Sequence, residues 1–259
     1  MLSSIINSAL IIFAYMTILF IISIIKKDNS IADIGWGIGF IIVAVFNTVY
    51  KNSLITTREI ILLSMIAFWG MRLAGHIFFR NKDKKEDFRY AKWRKRWGKL
   101  FYIRSYFQVF ILQGVLMLVI SLPIFVVINY DLKGISILDI IAILIWLAGF
   151  LFEAISDYQL HDFIKNRKTE NNNIMTEGLW QYSRHPNYFG EALLWWGPFL
   201  LCLNFETGIL AIFSPMTIDY LIMFVSGVPI LEKRFMKNPE YRKYAEKTNR
   251  FFPWFSKKN

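Results

Sequence analysis

The sequence predicts an all-α fold, a polytopic membrane helix bundle with about seven transmembrane helices, its N-terminus outside and its C-terminus cytosolic. Three observations predict it. The 259 residues are 55% hydrophobic and 17% aromatic, with a mean hydropathy of +0.39, too apolar for an ordinary soluble domain. Apolar runs close to bilayer-crossing length recur along the whole chain. The charges are also segregated: of the 30 lysines and arginines, all except Lys51, Arg58, Arg72 and Lys133 fall on the inner side of the predicted topology. This is the positive-inside pattern. It accounts for the net charge of +11 through topology, so no nucleic-acid partner is expected. The single cysteine, Cys202, lies in an apolar run and excludes a disulfide framework or a thiol metal cluster.

Residues 1–259 read as one integral-membrane domain, with the first three spans in 1–79. The first, Leu2 to Ile25, has no basic segment before it and no small-residue cleavage site after it, so it reads as a span and not a removed leader. The second, Ile31 to Tyr50, starts with Asp33 and holds Gly35, Gly37 and Gly39. No strand precedes this G-x-G-x-G and its spacing differs from the dinucleotide fingerprint. Small residues that let helices approach closely explain it. Asp33 reads equally as an interfacial cap or as a group facing a polar cavity. The third span, Leu54 to Phe79, carries Arg72 and His76 at i, i+4, a face that points into a bundle and not at lipid.

Residues 80–106 interleave lysine and arginine with Tyr90, Trp93, Trp97, Phe101 and Tyr102. This reads as an amphipathic cytosolic helix along the membrane surface; in the other reading, Arg89 and its neighbours reach a phosphorylated ligand. Residues 107–231 hold the remaining spans: Phe107 to Tyr130 with a kink at Pro123, Ile135 to Phe163, Asn187 to Phe213 kinked at Pro198, and Pro215 to Leu231. Residues 232–259 form a basic, aromatic cytosolic tail.

Two stretches carry chemistry. The end of the fifth span aligns Glu153, Asp157 and His161 at i, i+4, i+8, as the wall of a cavity. With no second histidine nearby, no metal is expected there. The stretch TEGLWQYSRHPNYFGEALLWWG, Thr176 to Gly197, passes from a polar loop into an apolar run. Pro186 favours the first position of a helix, which gathers Ser183, Arg184 and His185 at its positive end as a ready anion site. Asn187 and Glu191 share a face one turn in, beside Tyr188. A carboxyl such as Glu191 inside a span costs about 2.5 kcal/mol or more unless paired or wet. Both stretches fall on the predicted cytosolic side. A ligand there would meet Arg184 and Arg89 from the cytosol, as a phosphorylated cofactor would, and apolar walls from the bilayer, as a lipid or sterol-like molecule would. Group transfer and hydride transfer both suit that geometry.

RHPNYFGE, Arg184 to Glu191, resembles the C-terminal motif of the steroid 5-alpha-reductase superfamily. The chain is most similar to its bacterial, DUF1295-type branch through ADIGWG at Ala32, RLAGH at Arg72, EDFRY at Glu86, SDYQL at Ser156 and EKR with NPEYRKY in the tail. The resemblance implies an NADPH-dependent oxidoreductase acting on CH–CH groups in lipid metabolism, in the bacterial inner membrane. Its substrate would be a lipid or steroid-like C=C bond conjugated to a carbonyl. Asn187 would contact the nicotinamide amide and Glu191 would line the pocket. Asp157 would help hold NADPH, with Arg72, Arg89, His161, Arg184, His185 and Tyr188 as further cofactor contacts. Glu191, Tyr90, His76 and Asp33 are the candidate proton donors. Two departures stand out: His161 occupies the place of an arginine, and asparagines before Gly178 replace another. The rival resemblance is to isoprenylcysteine carboxyl and phospholipid N-methyltransferases, which share R-H-P-x-Y for S-adenosylmethionine and a Glu-rich segment before a Y-x-x-Y-like stretch, here Tyr241 and Tyr244. A non-catalytic lipid-binding or transport role is the third reading.

Overall fold

The computed structural model describes residues 1–82, 84–130, 134–166 and 174–255, and every regular element among them is helical. In chain order they are α1 (Leu2–Lys26), α2 (Ile31–Lys51), α3 (Thr57–Asn81), α4 (Phe88–Trp97), α5 (Phe101–Ser105), α6 (Leu112–Ile120), α7 (Leu122–Asn129), α8 (Ile137–Asn166), α9 (Pro186–Cys202), α10 (Phe213–Tyr220), α11 (Val228–Phe235) and α12 (Pro239–Lys247). Among the described residues six helical runs are long and apolar enough to cross a membrane: Leu2–Lys26, Ile31–Lys51, Thr57–Asn81, Phe88–Ile120, Ile137–Asn166 and Gly208–Phe235. The all-helical membrane fold is therefore as expected. The asparagine-rich stretch predicted as a loop before Gly178 falls largely outside the described residues.

The chain forms two compact units, residues 1–136 with 201–214, and residues 137–200 with 215–259. In the first unit α2 and α3 meet where the glycine pattern predicts. A Cβ on Gly37 would lie 2.5 Å from the Gly70 carbonyl oxygen, and one on Gly70 would lie 2.6 Å from that of Gly37. The backbones touch, so any side chain would force the helices apart. The third span starts at Thr57 and not Leu54 because Thr56 caps it: its hydroxyl accepts from the Glu59 N–H at 3.3 Å and donates to the Glu59 carboxylate at 3.2 Å, an N-cap.

The basic segment differs from expectation in its continuity. From Phe88 onward it winds as α4, a 3₁₀ turn at Gly98–Leu100, α5 and a π-helical turn at Tyr106–Ile111 directly into α6. Gly98, at φ 50° and ψ −123°, closes α4 in a conformation that only glycine adopts easily. The run then breaks at Ser121, and α7 starts with Pro123 in its first turn. The ring has no N–H to donate and its bulk crowds the preceding turn.

The predicted sixth span is corrected. It does not continue to Phe213 but ends at Cys202. The Phe205 N–H bonds the Cys202 carbonyl at 2.9 Å, and a Cβ on Gly208 would stand 1.7 Å from that oxygen. The chain thus turns back on itself too tightly for a helix, and the last span begins at Gly208 and not at Pro215. At 17 residues, with Pro198 inside it, α9 is shorter than each of the six long runs.

In the second unit α8 and α9 are in backbone contact. A Cβ on Gly190 would lie 2.4 Å from the Glu153 nitrogen, and one on Gly149 would lie 2.5 Å from the Leu194 nitrogen. This contact puts the carboxylate stripe of α8 beside the first turns of α9.

Candidate functional site

α9 begins at Pro186, as the proline predicts. Just before it the chain is held by its own hydroxyl: Ser183 Oγ accepts from the His185 N–H at 3.1 Å and donates to the Phe251 carbonyl at 2.7 Å. Asn187, in the first turn, donates its Nδ2 to Asp157 Oδ1 at 3.0 Å. The two stretches singled out in the sequence therefore meet, through Asn187 and Asp157, two of the residues for which the resemblance implied cofactor contact.

Arg184 and His185 lead elsewhere. Both are buried, at 8% and 2% exposure, and both close onto Glu232 of α11. His185 Nε2 lies 2.9 Å from Glu232 Oε1, and Arg184 Nη2 lies 3.1 Å from Oε2. Tyr241 donates its hydroxyl to Glu232 Oε1 at 2.6 Å. Arg184 Nη1 also donates to the Ala245 carbonyl at 3.2 Å, while its Nε is buried with no partner among the described residues. Tyr244 donates to the Trp180 carbonyl and lies 3.3 Å from that of Ser183. Burial first, then the hydrogen bond to Glu232 and its charge, push the Tyr241 phenol far above its usual range. Burial raises Tyr244 as well, against the lowering influence of Arg184. Both tyrosines are held as proton-bearing donors. The R-H-P motif is thus a clasp that binds the tail to the mouth of α9. Tyr241 and Tyr244 were visible in the sequence as a spaced pair, but nothing in it paired Glu232 with Arg184 and His185.

Other candidates are placed as follows. The stripe on α8 splits: Glu153 and Asp157 are buried, whereas His161 is exposed. Among the described residues no group of three or more His, Cys, Asp or Glu is arranged to hold a metal ion. The His185 and Tyr188 rings stack at 5.9 Å. Arg72, His76, Tyr188 and Glu191 are half-buried, and each is engaged with other groups. Asp219, which the sequence reading passed over, lies in the last span and accepts from Trp196 Nε1 at 3.2 Å.

In the first unit Asp33, Arg89 and Tyr90 form a cluster. Asp33 Oδ1 accepts from the Tyr90 hydroxyl at 2.7 Å and its Oδ2 from Arg89 Nη2 at 2.5 Å. Arg89 Nε also donates to Asp87 at 2.9 Å. Burial acts to raise the Asp87 carboxyl, but the hydrogen bonds and charge of Arg89 outweigh it and hold that carboxyl below its usual value. Beside it Arg94 grips Glu86 through Nε and Nη2 at 2.9 and 2.8 Å. The Asn29 N–H donates to Glu86 at 3.0 Å, and the Asp87 N–H to Ser30 Oγ at 2.9 Å. The EDFRY stretch thus fastens the α1–α2 turn to α4. Asp33 is a cluster member, not a helix cap by side chain: no side-chain hydrogen bond caps α2.

These features define an integral membrane protein in which buried ion pairs fix a polar turn at the mouth of a helix. The chain belongs to the family described as "Protein of unknown function (DUF1295)", whose model matches residues 19–248. An uncharacterized protein of Schizosaccharomyces pombe is 23% identical over 258 residues, covering 90% of this chain and 74% of its own length. No solved structure matches the chain.

Proposed function

We propose that the protein is an NADPH-dependent reductase of a carbon–carbon double bond conjugated to a carbonyl, in a lipid or steroid-like molecule. The cofactor would enter from the cytosol and the substrate from the bilayer. One observation carries this reading: the Asn187–Asp157 hydrogen bond. With Nδ2 given to Asp157, the Asn187 carboxamide is fixed in orientation and its Oδ1 is left as an acceptor. That acceptor complements the amide N–H of a nicotinamide. Asp157 is then a positioning residue. Arg184 Nε, a buried donor without a partner among the described residues, and the N-terminal dipole of α9 fit an anionic group beside it. The residues present therefore fit the cofactor at its nicotinamide end, and NADPH bound there would supply hydride to the β carbon of the substrate.

The remaining chemistry is the protein's own. A donor must stabilise the enolate that develops as the β carbon is reduced. Tyr90 already gives its hydrogen to Asp33, and Asp33 also holds Arg89. Glu191, Tyr90, His76 and Asp33 remain the four candidate donors, each engaged with other groups in the structure. The features shared with the methyltransferases, R-H-P-x-Y and the paired tyrosines, serve here to clasp the tail and so favour neither activity. The Asn187–Asp157 pair favours the reductase.

The test is the melting of detergent-purified protein with NADPH, NADH and S-adenosylmethionine in parallel. A ligand that binds only the folded state stabilises it by about 2.7 kcal/mol at a hundred times its Kd. Stabilisation by NADPH that disappears in Asn187→Ala is expected. Stabilisation by S-adenosylmethionine alone, or no response to either nicotinamide, would reject the reading.

A further inference from the structure

We propose that the aromatic tip of the C-terminal tail, Phe252, Trp254 and Phe255, is an interfacial anchor. It sits at the headgroup–acyl boundary of the bilayer that the chain itself spans, with the neighbouring basic residues on anionic lipid headgroups. The three rings are 65%, 69% and 74% exposed. They are not on a loose end. The Trp254 N–H donates to the Tyr182 carbonyl at 3.0 Å, and the Arg184 N–H to that of Asn249 at 2.9 Å. Ser183 Oγ holds the Phe251 carbonyl, and the Phe251 ring is buried against Phe189 at 6.0 Å. The backbone is thus pinned with three large apolar rings turned outward. Large apolar rings held outward in this way mark a surface that something covers.

Its level in the fold says what covers it. The tail leaves the last span at Phe235 and returns to residues 182–184, immediately before α9 begins. These two points are at one level, because Glu232 near the end of that span touches His185 at the start of α9. The tip therefore lies where helices cross from lipid to water, the zone in which tryptophan and other amphipathic rings concentrate. Lys237, Arg242, Lys243 and Arg250 are exposed nearby. Basic residues beside aromatic ones suit an anionic lipid surface. A second copy of the chain would instead bring like charges together. By fastening residues 182–184, the anchor holds the mouth of α9 at the lipid–water border. This holds whichever cofactor the site takes.

The test uses the full chain in nanodiscs of mixed zwitterionic and anionic phospholipid. The only native cysteine, Cys202, is buried, so an environment-sensitive fluorophore can be attached selectively at an introduced one. Trp254→Cys reports the tip directly, Pro253→Cys keeps all three rings, and Glu246→Cys marks the exposed side of α12. Lipid-borne nitroxide should quench the label at 253 and 254 about twofold more than at 246, with the order reversed for aqueous iodide. Replacing the anionic lipid should reduce the nitroxide quenching at the tip. Iodide access at 253 and 254 equal to that at 246 would overturn the proposal. So would shielding from both quenchers, as a protein partner would produce. Quenching indifferent to anionic lipid would overturn the headgroup contact.

Discussion

Removing Glu232 should open the clasp between the tail and α9. Its carboxylate receives Arg184, His185 and Tyr241 together. The Arg184 and Glu232 side chains are only 8% and 11% exposed, so Glu232→Ala leaves a buried guanidinium without its counter-charge. Breaking a buried pair from one side costs about 3–5 kcal/mol. The lower figure suits this site, because the Ala245 carbonyl still accepts from Arg184. At about 2–4 °C per kcal/mol for a chain of this size, the melting point of the purified protein should fall by about 6–12 °C. Glu232→Gln, which keeps an acceptor, should lose less. In Arg184→Leu/Glu232→Leu no charge is stranded, so the double variant should melt no lower than Glu232→Ala. Glu246→Ala, on the exposed side of α12, serves as the control. If Glu232→Ala melts with that control, the clasp does not stabilise the fold and the reasoning is wrong.

Glycine substitutions should separate two neighbouring patterns. Gly190→Ala drives a methyl into the Glu153 backbone and should cost about 3 kcal/mol or more as overpacking, whereas Gly75→Ala meets nothing within 4 Å and should melt at or slightly above wild type. Tyr90→Phe removes the donor from Asp33 and should cost about 1–3 kcal/mol, read in chemical denaturation. Asp87 has its folded pKa lowered, so its contribution is fully present above the unfolded value of about 3.9 and is lost as pH falls through the folded value. Asp87→Asn should therefore flatten the acid end of the melting profile while leaving its shape near neutrality unchanged.

Much of the fold was legible because it follows from local pattern. The apolar runs, the proline at the start of α9 and the close approach signalled by Gly37 each depend on a few neighbouring residues. The break after Cys202 was not legible. Residues 203–213 are apolar enough to continue a span, and only the folding of Gly208 onto the Cys202 carbonyl ends the helix. At the site, helical spacing put Asn187 and Asp157 on faces that could meet, and they do. The same spacing put His161 in line with Asp157, yet the last turns of α8 leave His161 exposed. Arg184 and His185 looked like an open anion site because dipole and charge were visible and the partner was not. Glu232 lies far along the chain, on a different helix.

The sequence by itself determined that the chain is helical, that it belongs in a membrane, and which residues stand at the mouth of α9. Hydrophobicity, charge segregation and the conformational limits of proline and glycine act over a few residues and can be read without a fold. Only the tertiary structure decided which polar groups are occupied with one another. A buried charge must find its counter-charge wherever the packed helices bring one, and here that assigned Arg184 and His185 to Glu232, Arg89 and Tyr90 to Asp33, and Asn187 to Asp157.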